Sequence, residues 1–142
     1  MSKKHLNLPA SNLEALQKNF AGIILDSREG DGSGQPSSYL CVRHTFVFKD
    51  GSRLFIKEFL TKNGFIEAYF YDWADANGNV LLKFHADPHK NPKYQTETEP
   101  FHVHPPDDAK LTNRTRYPNY DHRDLHSILE LIALFLIANR KI

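Results

Sequence analysis

Three glycine-containing turns divide the middle of this chain into four β-rich runs, and that spacing limits the fold more than any other feature. The turns are Lys49-Asp50-Gly51-Ser52, Lys62-Asn63-Gly64 and Asp75-Ala76-Asn77-Gly78-Asn79. Asp-Gly and Asn-Gly pairs accept the backbone angles that a tight reversal needs, so each turn folds its flanking runs back on one another. The runs themselves, YLCVRHTFVF, SRLFIKEFL, FIEAYFYDW and VLLKFH, are built from aromatic, branched and other apolar residues. In the first, Leu40, Val42, His44, Phe46 and Phe48 alternate with Cys41, Arg43, Thr45 and Val47, the period of a strand. His44 falls on the apolar face and reads as a core histidine with a bonded ring. An antiparallel meander follows.

Helical signals flank the meander. SNLE, Ser11 to Glu14, has the form of a capping box with Ser11 as N-cap, opening a short helix to about Asn19. Phe20–Asp26 reads as a short strand, and the Gly/Ser-rich stretch over about 27–38 as a mobile loop. Near the other end the period changes to that of a helix. Asp121 is the expected N-cap, Asp124 sits where a carboxylate favours the helix dipole, and the helix runs from about His122 to Asn139. Leu125, Ile128, Leu129, Ile132 and Phe135 form its apolar stripe. Leu131, Leu134 and Ile137 fall outside the stripe, which suits a second docking surface, a homodimer through this helix or a partner protein, or burial beneath the preceding segment. The expected class is α+β. A four- to five-stranded antiparallel meander carries a short N-terminal helix, and the C-terminal helix packs on one sheet face, all in a single domain over residues 1–142.

Charge and cysteine content limit the function classes. A formal net charge of +1 supplies no overall field toward nucleic acid or membrane, so any polyanion site must be a local cluster. The single cysteine, Cys41, excludes a disulfide framework and points to a reducing compartment. The opening MSKKHLNLPAS has no apolar stretch of the secretory kind, and the longest apolar run, Leu131 to Ala138, is short of the ~20 residues that span a bilayer. A cytoplasmic protein without a membrane segment is expected.

The chemistry concentrates in HADPHKNPKYQTETEPFHVHPP, which holds His85, His89, His102 and His104, four of the eight histidines, together with five of the eight prolines. The whole segment 85–120 is expected to be a His/Pro-rich loop. Strand parity puts Lys83 and His85 together on the face opposite Leu82 and Phe84, and pairs His102 with His104 if FHVH is extended. A metal site needs such pairs to converge as neutral imidazoles; the acidic candidates beside them are Asp87, Asp107 and Asp108, and the spacing itself is not diagnostic. Proton transfer needs groups that titrate near neutrality and a cation for developing charge, and histidine and lysine are those groups. Metal-independent RNA cleavage would draw on His89, His102 and His104 as acid and base, with His85 assisting, Lys83 for phosphate charge and no cofactor. Arg114, Arg116, Tyr117 and Tyr120, within KLTNRTRYPNYDHR, have the arginine-plus-aromatic composition of a single-stranded RNA groove. The plainer reading is a surface loop whose imidazoles bond to backbone carbonyls. His122 and His126 fall on the first turns of the C-terminal helix.

From Tyr69 to Leu134 the order of elements resembles the TumE-type toxin family of prokaryotic toxin–antitoxin modules. Lys83-Phe84 matches its basic-aromatic pair, Asp87-Pro88-His89 its turn, Pro100, His102 and His104 its Pro-x-His-x-His element, and Asp124-Leu125 its helix start. Lys83 stands where that pattern has arginine and His85 where it has an acid. The resemblance implies a growth-inhibiting toxin neutralised by a cognate antitoxin, a helix-turn-helix DNA-binding protein. An endoribonuclease follows from the histidines rather than from the resemblance. The alternatives are a non-catalytic protein-binding module and a metal-dependent nuclease.

Overall fold

The computed structural model of the chain describes residues 6–87, 92–106 and 115–140. Helix α1 (Leu13–Asn19) leads into strands β1 (Ile24–Glu29), β2 (Cys41–Phe48), β3 (Arg53–Leu60), β4 (Ile66–Ala74), β5 (Val80–Ala86), β6 (Phe101–His104) and β7 (Tyr117–Pro118), and helix α2 (Leu125–Ala138) follows. The seven strands form one sheet in chain order, every neighbouring pair antiparallel. The α+β class and the meander match the expectation; the strand count is higher. FHVH and Tyr117–Pro118 add two strands inside the segment read as a loop, because β5, and then β6, offers a free edge to which even a proline-flanked piece can pair.

One face of the sheet makes the core. Phe46, Phe48, Leu54, Ile56, Tyr69, Tyr71, Trp73 and Phe84 are buried there against Leu125, Ile128, Leu129, Ile132 and Leu136 of α2. The buried stripe of α2 therefore ends at Leu136 rather than Phe135. Phe135 lies at the margin, 42% exposed, with its ring edge-on to Trp73 at 5.0 Å. Leu134 and Ile137 stay exposed, at 64% and 53%.

Both helix caps sit elsewhere than expected. Asn12, not Ser11, accepts from the Ala15 N–H at 3.1 Å. Ser11 turns to Glu58 on β3, donating from its backbone N–H at 3.0 Å and its hydroxyl at 2.5 Å. At α2 the N-cap is Asp124, accepting from the Ser127 N–H at 2.7 Å, so His122 precedes the helix and only His126 lies in its first turn. In each case the side chain nearer the helix takes the cap, since the farther one meets a tertiary partner or a turn.

Strand β1 continues three residues past Asp26, and the glycine-rich stretch after it folds back on the sheet. Asp31 pairs with Arg43 at 3.1 Å, Thr45 donates to the Gly30 carbonyl at 2.8 Å, and the Arg43 N–H donates to the Ser37 hydroxyl at 2.8 Å. Gly32, at φ +83°, lies against the Phe55 ring, which leaves little room for a side chain there. His44 shares the core parity of Phe46 and hydrogen-bonds Ser27, as a bonded, half-buried histidine.

Candidate functional site

The second face of the sheet carries the chemistry, and the strand register arranges it in two rungs. One runs Phe55–Asp72–Lys83–His104 across β3 to β6, and the next Lys57–Phe70–His85–His102. Parity puts all eight side chains on the face away from α2. Seven of them, all but the fully buried His102, border a cleft of about 450 Å³, also lined by Asp31, Asp87 and Arg116. The sequence reading that Lys83 pairs with His85, and His102 with His104, agrees with this register.

The three rings converge. His85 and His104 have centroids 4.8 Å apart, His102 and His104 4.8 Å, and His85 and His102 5.9 Å, all edge-on. One ring nitrogen of each lies within 4.8 Å of the other two. All three side chains are buried, His102 completely. Each ring has its own orienting partner. His102 donates from Nδ1 to the Pro100 carbonyl at 2.9 Å, His104 from Nδ1 to the Thr115 carbonyl at 2.9 Å, and His85 from Nε2 to Asp72 Oδ1 at 2.8 Å. With those protons assigned by their partners, the lone pairs fall on His102 Nε2, His104 Nε2 and His85 Nδ1.

Burial keeps two of the rings neutral. It pulls His102 down to about 3, helped by the Arg116 guanidinium and the neighbouring imidazoles, and His104 down to about 4, helped by His85. At neutral pH these rings accept protons or coordinate; they do not donate. Asp87, at the end of β5, brings Oδ1 to 3.5 Å from His102 Nε2, and neither atom has a hydrogen-bond partner among the described residues.

The remaining expected residues divide. His89 and Arg114 lie outside the described residues. Arg116 reaches the cleft wall, but its Nη1 is held by Glu99 at 2.8 Å, and Glu99 Oε2 also approaches His102 Nδ1 at 3.4 Å. Tyr117 pairs with Val103, hence shares the parity of Phe84 and the α2 face rather than that of the histidines. Tyr120 is exposed, in the turn before α2, and does not border the cleft. His122, in that turn, bonds to the Ser127 carbonyl in the first turn of α2 at 3.3 Å, and exposed His126 pairs with Glu130 at 3.0 Å. Sequence reasoning missed Lys57, Phe70, Asp72 and Glu99. Asp72 had a signal, an acid at alternate spacing in the aromatic run of β4, but its partner is fixed only by register.

A protein-family model described as Toxin TumE matches residues 13–138. No curated protein and no solved structure matches the chain. The matched span begins at the first residue of α1 and ends at the last of α2, so it takes in the whole sheet and the trihistidine face. The chain belongs to the TumE family, toxins of toxin–antitoxin modules.

Proposed function

We propose that this toxin acts by cleaving RNA at the trihistidine cleft. The observation that carries the reading is the meeting of His85, His102 and His104 with Lys83 in one concave site, beside Lys57 and the aromatic ring of Phe70. A phosphodiester in the cleft would meet cationic groups for its charge, imidazoles for proton movement and a ring face for a base. In the metal-independent form, neutral His104 takes the ribose 2′-OH proton, and His85 in its imidazolium form, held through Nε2 by Asp72, gives its Nδ1 proton to the leaving 5′-oxygen. His102 orients the neighbouring rings. A metal-dependent nuclease is the second reading, favoured by the unpartnered His102 Nε2 and Asp87 Oδ1 that face one another.

The family implies an antitoxin partner. The exposed Leu134 and Ile137 of α2 support docking of that antitoxin, a helix-turn-helix protein in our reading, or of a second copy of the chain. Among the described residues no helix is long and apolar enough to cross a membrane, and we assign the toxin to the cytoplasm, where RNA is.

The test is induced expression of the wild type and of a His102→Ala/His104→Ala variant in a host without the antitoxin, following growth and total RNA together. Growth arrest with RNA fragmentation, absent in the variant, is expected. Arrest with intact RNA overturns the ribonuclease while leaving the toxin.

A further inference from the structure

We propose that His85, His102 and His104, with Asp87 as the fourth ligand, form a site for one divalent transition-metal ion of the zinc type at the floor of the cleft. The inference does not rest on RNA cleavage, since an ion there can be structural or catalytic.

The starting point is a local electrostatic problem. His102 uses its Nδ1 proton on the Pro100 carbonyl, which leaves a lone pair on Nε2. That lone pair faces Asp87 Oδ1 at 3.5 Å, and both atoms are buried without a hydrogen-bond partner among the described residues. Two acceptors pointing at one another repel, and each has lost its water. The arrangement becomes favourable when a cation lies between them. A proton is one candidate, but 3.5 Å is long for a charge-assisted N–H···O bond, which runs ~2.7–2.9 Å. A metal ion is the other, and the surroundings are built for it.

The lone pairs of His104 Nε2 and His85 Nδ1 are free because each ring spends its other nitrogen on a fixed acceptor, the Thr115 carbonyl and the Asp72 carboxylate. This is the support that metal-ligating imidazoles usually receive: an N–H bonded to a carbonyl or carboxylate, which sets the tautomer and the ring angle. Three rings so supported, on two adjacent strands, each bring one ring nitrogen within 4.8 Å of the other two. Tetrahedral Zn–N bonds of ~2.0–2.1 Å require nitrogens about 3.3 Å apart, so small side-chain rotations close the site. Three imidazoles and one carboxylate, with no thiolate, suit Zn²⁺, Co²⁺ or Ni²⁺ over Mg²⁺ or Ca²⁺, which prefer oxygen. The one cysteine, Cys41, is on β2 and not part of the cluster.

The experiment uses the full chain, purified without a polyhistidine tag. Metal content is measured on the protein as isolated, and metal-free protein is then titrated with Zn²⁺ and with Co²⁺. Expected are one equivalent of ion per chain, the visible spectrum of four-coordinate Co²⁺, and a rise in Tm on adding Zn²⁺ that is lost in His104→Gln. Asp72→Asn removes only the support of His85 and should weaken binding roughly 10–100-fold while the fold stays intact. Asp87→Asn, on a partly exposed side chain, keeps the test open if a buried histidine variant does not fold. Absence of stoichiometric metal, with no Co²⁺ spectrum and no change in Tm, overturns the proposal. So does binding that is unchanged in both Asp72→Asn and Asp87→Asn. RNA cleavage is assayed separately on the same samples. Metal binding without cleavage leaves this site and removes the ribonuclease, whereas cleavage by protein that takes up no metal in the titrations does the reverse.

Discussion

Lys83 and His104 stand directly opposite one another across β5 and β6, on the open face of the sheet. Residues facing each other in an antiparallel pair have Cβ atoms ~4.5–5.5 Å apart, so a charge on one is felt by the other. The Lys83 ammonium is accordingly among the groups that hold His104 neutral. It is also a cation of the cleft lying next to its imidazoles. Lys83→Ala should lower RNA cleavage by about 10²–10³-fold, the usual cost of removing one group that stabilises developing charge. Lys83→Arg should retain most of the activity. Cleavage kinetics on a short RNA substrate check this, with thermal melts confirming that stability moves by no more than about 0.5 kcal/mol, as at other partly exposed positions.

His104→Gln should abolish toxicity and also destabilise the fold. The ring is buried and bonded to the Thr115 carbonyl, so imperfect replacement leaves that acceptor unmet, at about 1–3 kcal/mol. His126→Gln is the control. That ring is exposed in a surface pair with Glu130, worth at most ~1 kcal/mol, and its loss should alter neither toxicity nor Tm measurably. Growth curves and denaturant melts of the two variants separate the two histidines.

Glu58 is a buried carboxylate that gathers three donors, the Ser11 N–H, the Ser11 hydroxyl and the Tyr71 hydroxyl. It ties the chain just before α1 to the centre of the sheet. Glu58→Ala should cost about 3–5 kcal/mol by leaving those donors without an acceptor in the interior. Glu58→Gln, which keeps an oxygen in place, should cost less. Urea unfolding with an unchanged m-value is the measurement.

Alkali should unfold the protein through two particular tyrosines. Tyr69 and Tyr71 are fully buried and stacked at 4.1 Å, and burial pushes both phenols well above their ordinary value of 10.0. Above pH 10 the unfolded chain releases these protons and the native state retains them. Stability is therefore complete below pH 10 and falls above it, by about 1.4 kcal/mol per pH unit for each tyrosine. Phenolate absorbance should rise in two phases, the second coinciding with loss of far-ultraviolet circular dichroism. A single phase for all six tyrosines in a still-folded protein would count against the burial.

The meander was legible because its information is local. Asp50-Gly51, Asn63-Gly64 and Asn77-Gly78 specify reversals within a few residues, and the alternation in each run specifies a face. Lys83 with His85, and His102 with His104, could be paired for the same reason, since parity needs no knowledge of the neighbouring strand. What parity cannot supply is register. That Asp72 would orient His85, or that Glu99 would take Arg116 out of the solvent, depends on which residues of distant strands lie abreast. The edge strands were hidden differently. Prolines around FHVH and at Pro118 argue against an independent strand, and only the free edge of β5, and then that of β6, draws those pieces into the sheet. The helix caps were misplaced because Ser11 and Asp121 carry the right chemistry one and three residues early, and the choice among similar caps was made by Glu58 and by the Asn119–His122 turn.

Strand order that follows chain order has a consequence for synthesis. Each strand emerging from the ribosome can pair with the one made just before it, so the sheet grows by short-range steps. His102 and His104 sit on the sixth strand, and α2, which seals the opposite face, follows the seventh. The nascent toxin thus carries a sheet without its trihistidine cluster until β6 has cleared the exit tunnel. If the trihistidine cleft is the toxic site, as proposed above, the translating ribosome holds an unarmed chain until the sixth strand is made.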